Sequence, residues 1–130
     1  MEKIWEKLYE AAKKVQNARE ISGRIYAGSV SAAIESESGK IYTGVSIDTA
    51  CSLGVCAERN AIMNMITNGE NAIRRVLALL PDGTTGAPCG ACREMMAQLM
   101  PGKYQSVEIM LDYDQRRIAT LGELTPEWRL

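Results

Sequence analysis

The chain has 130 residues, 46% of them hydrophobic and 24% charged, which fits one folded domain with a sizeable core and excludes a disordered chain. Its 15 Lys and Arg almost balance 16 Asp and Glu, and aromatics make up 5%, so it lacks the charge and stacking surface of a nucleic-acid binder. It contains no His, which removes Ser-His-Asp triads, Cys-His nucleophiles and His-ligated metals together.

From Glu2 to about Ala18, the apolar residues Ile4, Leu8, Ala11, Val15 and Ala18 recur at spacings of four and three, predicting an amphipathic helix. Two strands follow, Ser29 to Glu35 and Lys40 to Ile47, joined by the turn Glu37-Ser38-Gly39-Lys40. Asp48 to Gly54 is expected as loop, and Val55 to about Asn68 as a helix closed by Asn68-Gly69. Val76 to Leu80 is a short apolar run suited to a buried strand. Gly90 to Met100 is a third helix, stopped by Pro101-Gly102, and Val107 to Leu111 and Arg116 to Thr120 form a second hairpin. No repeat or linker interrupts residues 1–130, so a single domain is expected, an α/β fold whose mixed sheet carries helices on both faces. The N-terminal stretch holds Glu2, Lys3, Glu6 and Lys7 and no apolar core, and no run of about 18 apolar residues exists to span a membrane. A cytoplasmic protein with reduced thiols is the expectation, in which clustered Cys point to metal or catalysis rather than disulfides.

The four Cys are Cys51, Cys56, Cys89 and Cys92. Cys89-Gly90-Ala91-Cys92 opens a predicted helix, where two residues three apart share a face and the positive helix end favours thiolate. Cys56-Ala57-Glu58 opens another helix after a loop. Two such helix starts can supply three thiolates to one ion. Sulfur ligands suit zinc, and three protein ligands leave a fourth place for water. Glu58, two residues beyond Cys56, is placed by simple helix geometry away from the same ion; it would reach past it to water and substrate. Taken alone, Glu58 would rather be read as a solvated first-turn residue stabilising the helix dipole.

Cys56-Ala57-Glu58-Arg59-Asn60-Ala61 and Pro88-Cys89-Gly90-Ala91-Cys92-Arg93 resemble the two signature segments of the cytidine deaminase family, and weaker similarity runs from about Ser29 to Leu111. The resemblance implies a three-layer α/β/α fold with a five-stranded mixed sheet. It implies Zn²⁺ held by Cys56, Cys89 and Cys92, Glu58 as proton shuttle, and hydrolytic deamination of a small cytosine-type substrate by a homo-oligomer, commonly a tetramer. Three thiolates on Zn²⁺ leave a charge of −1, and Arg59 and Arg93 are the candidates to offset it by hydrogen-bonding ligand sulfurs. Ala57, Pro88 and Trp128 fall at expected substrate-binding positions, Trp128 through a C-terminal segment resembling Leu-Leu-Pro followed by an aromatic.

The sequence departs from the family where the sugar is held. Where an aromatic, an Asn and a Glu are usual, it has Gly28, Ser46 and Asp48, of which Ser46 and Asp48 would share one strand face. Val30-Ser31-Ala32-Ala33 and Met100-Pro101-Gly102 resemble instead the blasticidin S deaminases, which act on a modified cytosine nucleoside. Met63, Met65, Met95, Met96 and Met100 on the cysteine-bearing helices suit core or subunit packing. A different class stays open: with Cys51 as a fourth ligand, the cluster would be a structural zinc module without catalysis.

Overall fold

In β4 (Ile73–Leu79), successive side chains enter opposite cores, which places this strand in the middle of the molecule. Val76 and Ala78 pack with Ala61, Ile62, Met65, Met96 and Ala97, whereas Leu77 and Leu79 pack with Trp5, Leu8 and Ala12. The same alternation runs through β2 (Ile25–Ser36), with Ala32 and Ile34 on one side and Ala33 on the other, and through β6 (Glu108–Asp112), with Ile109 opposed to Met110. One layer is α1 (Lys3–Val15); the other holds α2 (Ala57–Thr67) and α3 (Gly90–Leu99). The computed structural model describes residues 2–129; Met1 and Leu130, the ends of the expected 1–130 domain, lie outside them.

The long strands stand in the order β3 (Ile41–Thr49), β2, β4, β6, β7 (Arg117–Thr120), and all neighbours are antiparallel except β4 and β6. Two further strands bring the sheet to seven rather than five: β1 (Arg19–Glu20) on β2 and β5 (Thr85–Gly86) on β4. Each is two residues long, too short to carry an apolar alternation. A 3₁₀ turn, Tyr104–Ser106, precedes β6, and a one-turn helix α4 (Leu121–Leu124), capped by Thr120 and Glu123, follows β7.

Several boundaries differ from the sequence expectation for identifiable reasons. β2 begins at Ile25 because β1 pairs with Tyr26 and Ala27, and β3 continues through Asp48 and Thr49, opposite Tyr26 and Ile25. Val55 belongs to no helix: it exchanges two backbone hydrogen bonds of 2.9 Å with Ile47. That bridge closes the 50–54 loop and delivers Cys56 to the start of α2. The helix lies close on β3, since a Cβ at Gly44 would stand 2.3 Å from the Ala61 backbone nitrogen, and Ala57 and Ala61 supply the matching small surface. Asn60 and Asn64 donate to the Val45 and Thr43 carbonyls at 3.0 and 3.1 Å, covering the free edge of β3. Gly69, at φ +89, ends α2 as its sequence predicts.

On the α1 side one charged group is held among apolar ones. Arg75 of β4 bonds Glu35 of β2 at 2.7 Å and Glu108 of β6 at 2.8 Å, reaches Glu2 at 3.1 Å, and lies 6.0 Å over the Trp5 ring. The three strand residues are register partners, so the pairing of the sheet itself aligns them.

Candidate active site

Cys56 and Cys89 are the residues immediately before α2 and α3, and each backbone carbonyl accepts the first helical bond, from Asn60 and Arg93, at 3.0 Å. Neither thiol caps its own helix, so both sulfurs are free to face the gap between the helix starts. Cys92 is one turn into α3. The Cys89 sulfur lies 3.4 Å from Cys56 and 3.5 Å from Cys92, and all three sulfurs stand within 4.8 Å of one another. Sulfurs placed about 2.3 Å from one ion at tetrahedral angles would be about 3.8 Å apart, so the cluster fits Zn²⁺. The chemistry of the donors agrees. Burial, then the nearby Glu58 carboxylate, pushes the Cys92 thiol far up, so its thiolate calls for a cation. Burial also opposes ionisation of Cys89, but the Cys92 backbone N–H and the neighbouring thiols outweigh it and hold Cys89 below the usual thiol range. Cys51 is exposed, its sulfur 3.9 Å from the Thr49 hydroxyl, and it is not part of the cluster.

Glu58 is 6% exposed, on the first turn of α2, and lines a cavity of about 530 Å³ together with Cys56 and Cys89. Burial raises its pKa, against the pull of its own backbone N–H and of Arg59. A carboxyl group in that setting is suited to accept a proton and return it. Ala57, Ser46 and Asp48 line the same cavity; Pro88 and Trp128 are not among its lining residues. Trp128 packs against the α2/α3 core, and its carbonyl accepts a hydrogen bond from Tyr104 at 3.4 Å. Ser29 and Val30 of β2 also line the cavity, at positions the sequence reading treated as plain strand. Their signal was Gly28. Its φ is +86, and a Cβ there would stand 2.1 Å from the Asn17 carbonyl oxygen, so no side chain can occupy the family's aromatic position in this backbone.

The two arginines, of which the sequence favours Arg59 over Arg93 as the partner of a ligand sulfur, are placed differently. Arg59 donates to the Cys56 sulfur at 3.4 Å, and that bond raises its own pKa. Arg93 turns away from the sulfurs. Its Nε donates to the Pro88 carbonyl at 2.8 Å and its Nη1 to the Leu124 carbonyl at 2.9 Å, tying the start of α3 to α4. Arg59→Ala is therefore expected to lower zinc affinity by about tenfold or more, whereas Arg93→Ala leaves zinc affinity unchanged and lowers the melting temperature. Competition with a chromophoric chelator, run beside a thermal melt, checks both; equal zinc loss in the two variants would contradict the assignment.

Residues 2–107 match the family model described as the cytidine and deoxycytidylate deaminase zinc-binding region. The chain belongs to this family. Among curated relatives, a cytidine deaminase of Halalkalibacterium halodurans is 32% identical over 98 residues, 75% of this chain and 74% of that one. A cytidine deaminase of Sporosarcina psychrophila is 34% identical over 74 residues, 56% of this chain, and the match spans about half, 54%, of that protein. The crystal structure of a Mycobacterium leprae cytidine deaminase superposes with a TM-score of 0.77 at 24% identity, covering 95% of this chain and 98% of that one, and shows the shared fold. The mixed sheet between helix layers is thus the cytidine deaminase fold, with two short strands added to the five expected.

Proposed function

We propose that the protein is a zinc-dependent aminohydrolase that converts a free cytosine nucleoside, cytidine or deoxycytidine, to its uracil form with release of ammonia. The observation that carries this reading is the buried Glu58 carboxyl on the wall of a cavity shared with Cys56 and Cys89. Cys56, Cys89 and Cys92 would hold Zn²⁺, which supplies a Lewis acid that makes water nucleophilic near neutral pH. Glu58 takes the proton released when water adds to C4 of the ring and delivers it to N3; it then takes the C4 hydroxyl proton and passes it to the amine, which leaves as ammonia as the C4 carbonyl of the uracil product forms. Arg59, bonded to Cys56, offsets the excess negative charge of three thiolates. Of the three further positions the family resemblance assigns to the substrate, Ala57 lies on the cavity wall and keeps that role, whereas Pro88 and Trp128 lie outside the lining.

A free nucleoside is favoured over a nucleotide by the charges of the cavity. Asp48, Glu58 and Arg59 are the ionisable residues of its wall besides the cysteines, and Arg59 is engaged by Cys56. No cation is left for a phosphate, and Asp48 would repel one. Gly28 and Ser46, smaller than the residues usual there, favour a second reading: a modified cytosine nucleoside such as blasticidin S. Self-association, as a tetramer by the family resemblance, would have Met63 and Ile66 of α2, 42% and 45% exposed, as apolar surface open to a second copy. No helix among the described residues is long and apolar enough to cross a membrane, and the four cysteines are free, which supports a cytoplasmic setting.

A screen for ammonia release from cytidine, deoxycytidine, cytosine, blasticidin S, aminopurines and cytidine 5′-monophosphate tests this reading. The expected result is turnover of cytidine or deoxycytidine, with kcat/KM for the monophosphate lower by at least about 100-fold, the worth of a buried charge without a partner. Preference for the monophosphate, or no ammonia from any of them, would contradict it.

A further inference from the structure

Part of the cavity wall comes from the strands rather than from the cysteine-bearing helices. Ser46 of β3 is 7% exposed; its Oγ accepts the Val30 backbone N–H at 3.1 Å and lies 3.4 Å from the Ser29 Oγ. Among the described residues neither hydroxyl has another hydrogen-bond partner. A hydroxyl carries one proton and two acceptor sites. Either hydroxyl can donate in the Ser29–Ser46 bond, which uses one of the pair's two protons, so one proton is left without a protein acceptor, and Ser29, the more exposed of the two, is placed to present it. Ser29 is half-buried and lines the cavity.

The backbone at this point is held from behind. The Gln16 side-chain amide donates to the Ser29 carbonyl at 3.0 Å and to the Leu80 carbonyl at 2.9 Å, and the Asn17 N–H donates to the Gly28 carbonyl at 3.1 Å. The close approach of Asn17 bars any side chain at residue 28, so Ser29 offers the first side-chain polar group along this wall. We infer that Ser29 determines sugar specificity by donating its hydroxyl proton to one sugar hydroxyl of the substrate, and that Ser46, behind it, is a positioning residue rather than a substrate contact. The inference rests on the nucleoside deaminase reading of the site. A wall built to hydrogen-bond a substrate hydroxyl discriminates against the analogue lacking it, because the protein donor is then left unpaired.

The test measures kcat/KM for ammonia release by the zinc-loaded full chain from cytidine, 2′-deoxycytidine and 3′-deoxycytidine. Wild type is expected to favour cytidine over one of the two analogues by about tenfold, the worth of one neutral hydrogen bond. Ser29→Ala should lose about tenfold on cytidine, through KM, and nothing on that analogue, so that the preference disappears. Ser29→Thr, which keeps the hydroxyl, should retain it and shows that the wall still folds. Ser46→Ala should lose part of the same preference and Ser46→Thr should restore it. Indifference of wild type to both sugar hydroxyls, or a Ser29→Ala variant that changes all three substrates by one factor or none, would overturn the assignment. An unchanged preference in Ser46→Ala would overturn the positioning role. Absence of ammonia from all three nucleosides with wild type would overturn the reading as a deaminase of plain cytosine nucleosides, and the assignment with it; turnover with no Ser29 effect overturns the assignment alone.

Discussion

Replacing Glu58 by Gln is expected to leave one zinc per chain and an unchanged fold while lowering kcat by about 10³-fold or more, within the range that positioned proton transfer contributes. The change keeps side-chain size at a site that is 6% exposed, so packing against α2 is preserved. It removes the one buried carboxyl group on the cavity wall, the exposed Asp48 being the other acid there. An amide can neither take the proton of the attacking water nor return one to the departing amine, so the loss falls on kcat rather than on KM. Metal content by elemental analysis separates this outcome from simple loss of the ion. A variant that retains zinc and keeps kcat within about tenfold of wild type would show that Glu58 is not the proton carrier.

The largest expected stability effect lies on the opposite face of the sheet. The Arg75 side chain is 14% exposed and Glu35 is 8% exposed, with 2.7 Å between them. Truncating one partner of so buried a pair leaves the other charged and unpaired, which costs about 3–5 kcal/mol. Arg75→Met should therefore destabilise the chain by about that amount, measured by urea unfolding at fixed protein and zinc concentration. Adding Glu35→Gln should recover part of the loss, because the stranded carboxylate is then gone. Activity per folded molecule should not change, since Arg75 faces the α1 core and not the cavity. A loss below about 1 kcal/mol would show that these strands do not depend on the bridge.

Much of the site was legible before any coordinates because it depends on short-range spacing. Cys89 and Cys92 are one helical turn apart in any helix, and Cys56 begins another helix whose 3.6-residue pattern is clear. Bringing Cys56 to within 3.4 Å of Cys89 depends on the fold, and the sequence pointed to it only through the family signature. The three long helices were legible from periodicity, and their ends fell within a few residues of expectation. β1 and β5 were not legible, because two residues pairing with a longer neighbour show no pattern of their own. Nor was the Val55–Ile47 bridge, which trims α2 to Ala57 although Val55 itself looks helical. Arg59 and Arg93 each follow a ligand motif, and the sequence favours Arg59 as the sulfur's partner without showing where Arg93 goes. What separates them is tertiary: the Leu124 carbonyl of α4 captures Arg93, whereas Arg59 keeps its guanidinium on Cys56. Gly28 shows a related limit. In sequence it is a missing aromatic; in the fold it is a backbone at positive φ against Asn17, where no side chain fits.

The enzyme reading requires that three sulfurs hold zinc with one place left for water. X-ray absorption at the zinc edge of the purified full chain tests it most directly. The expected spectrum fits three sulfur scatterers at about 2.3 Å and one oxygen at about 2.0 Å, and it is unchanged in Cys51→Ala. Four sulfurs in wild type, falling to three in Cys51→Ala, would mean a closed structural site and would contradict the enzyme.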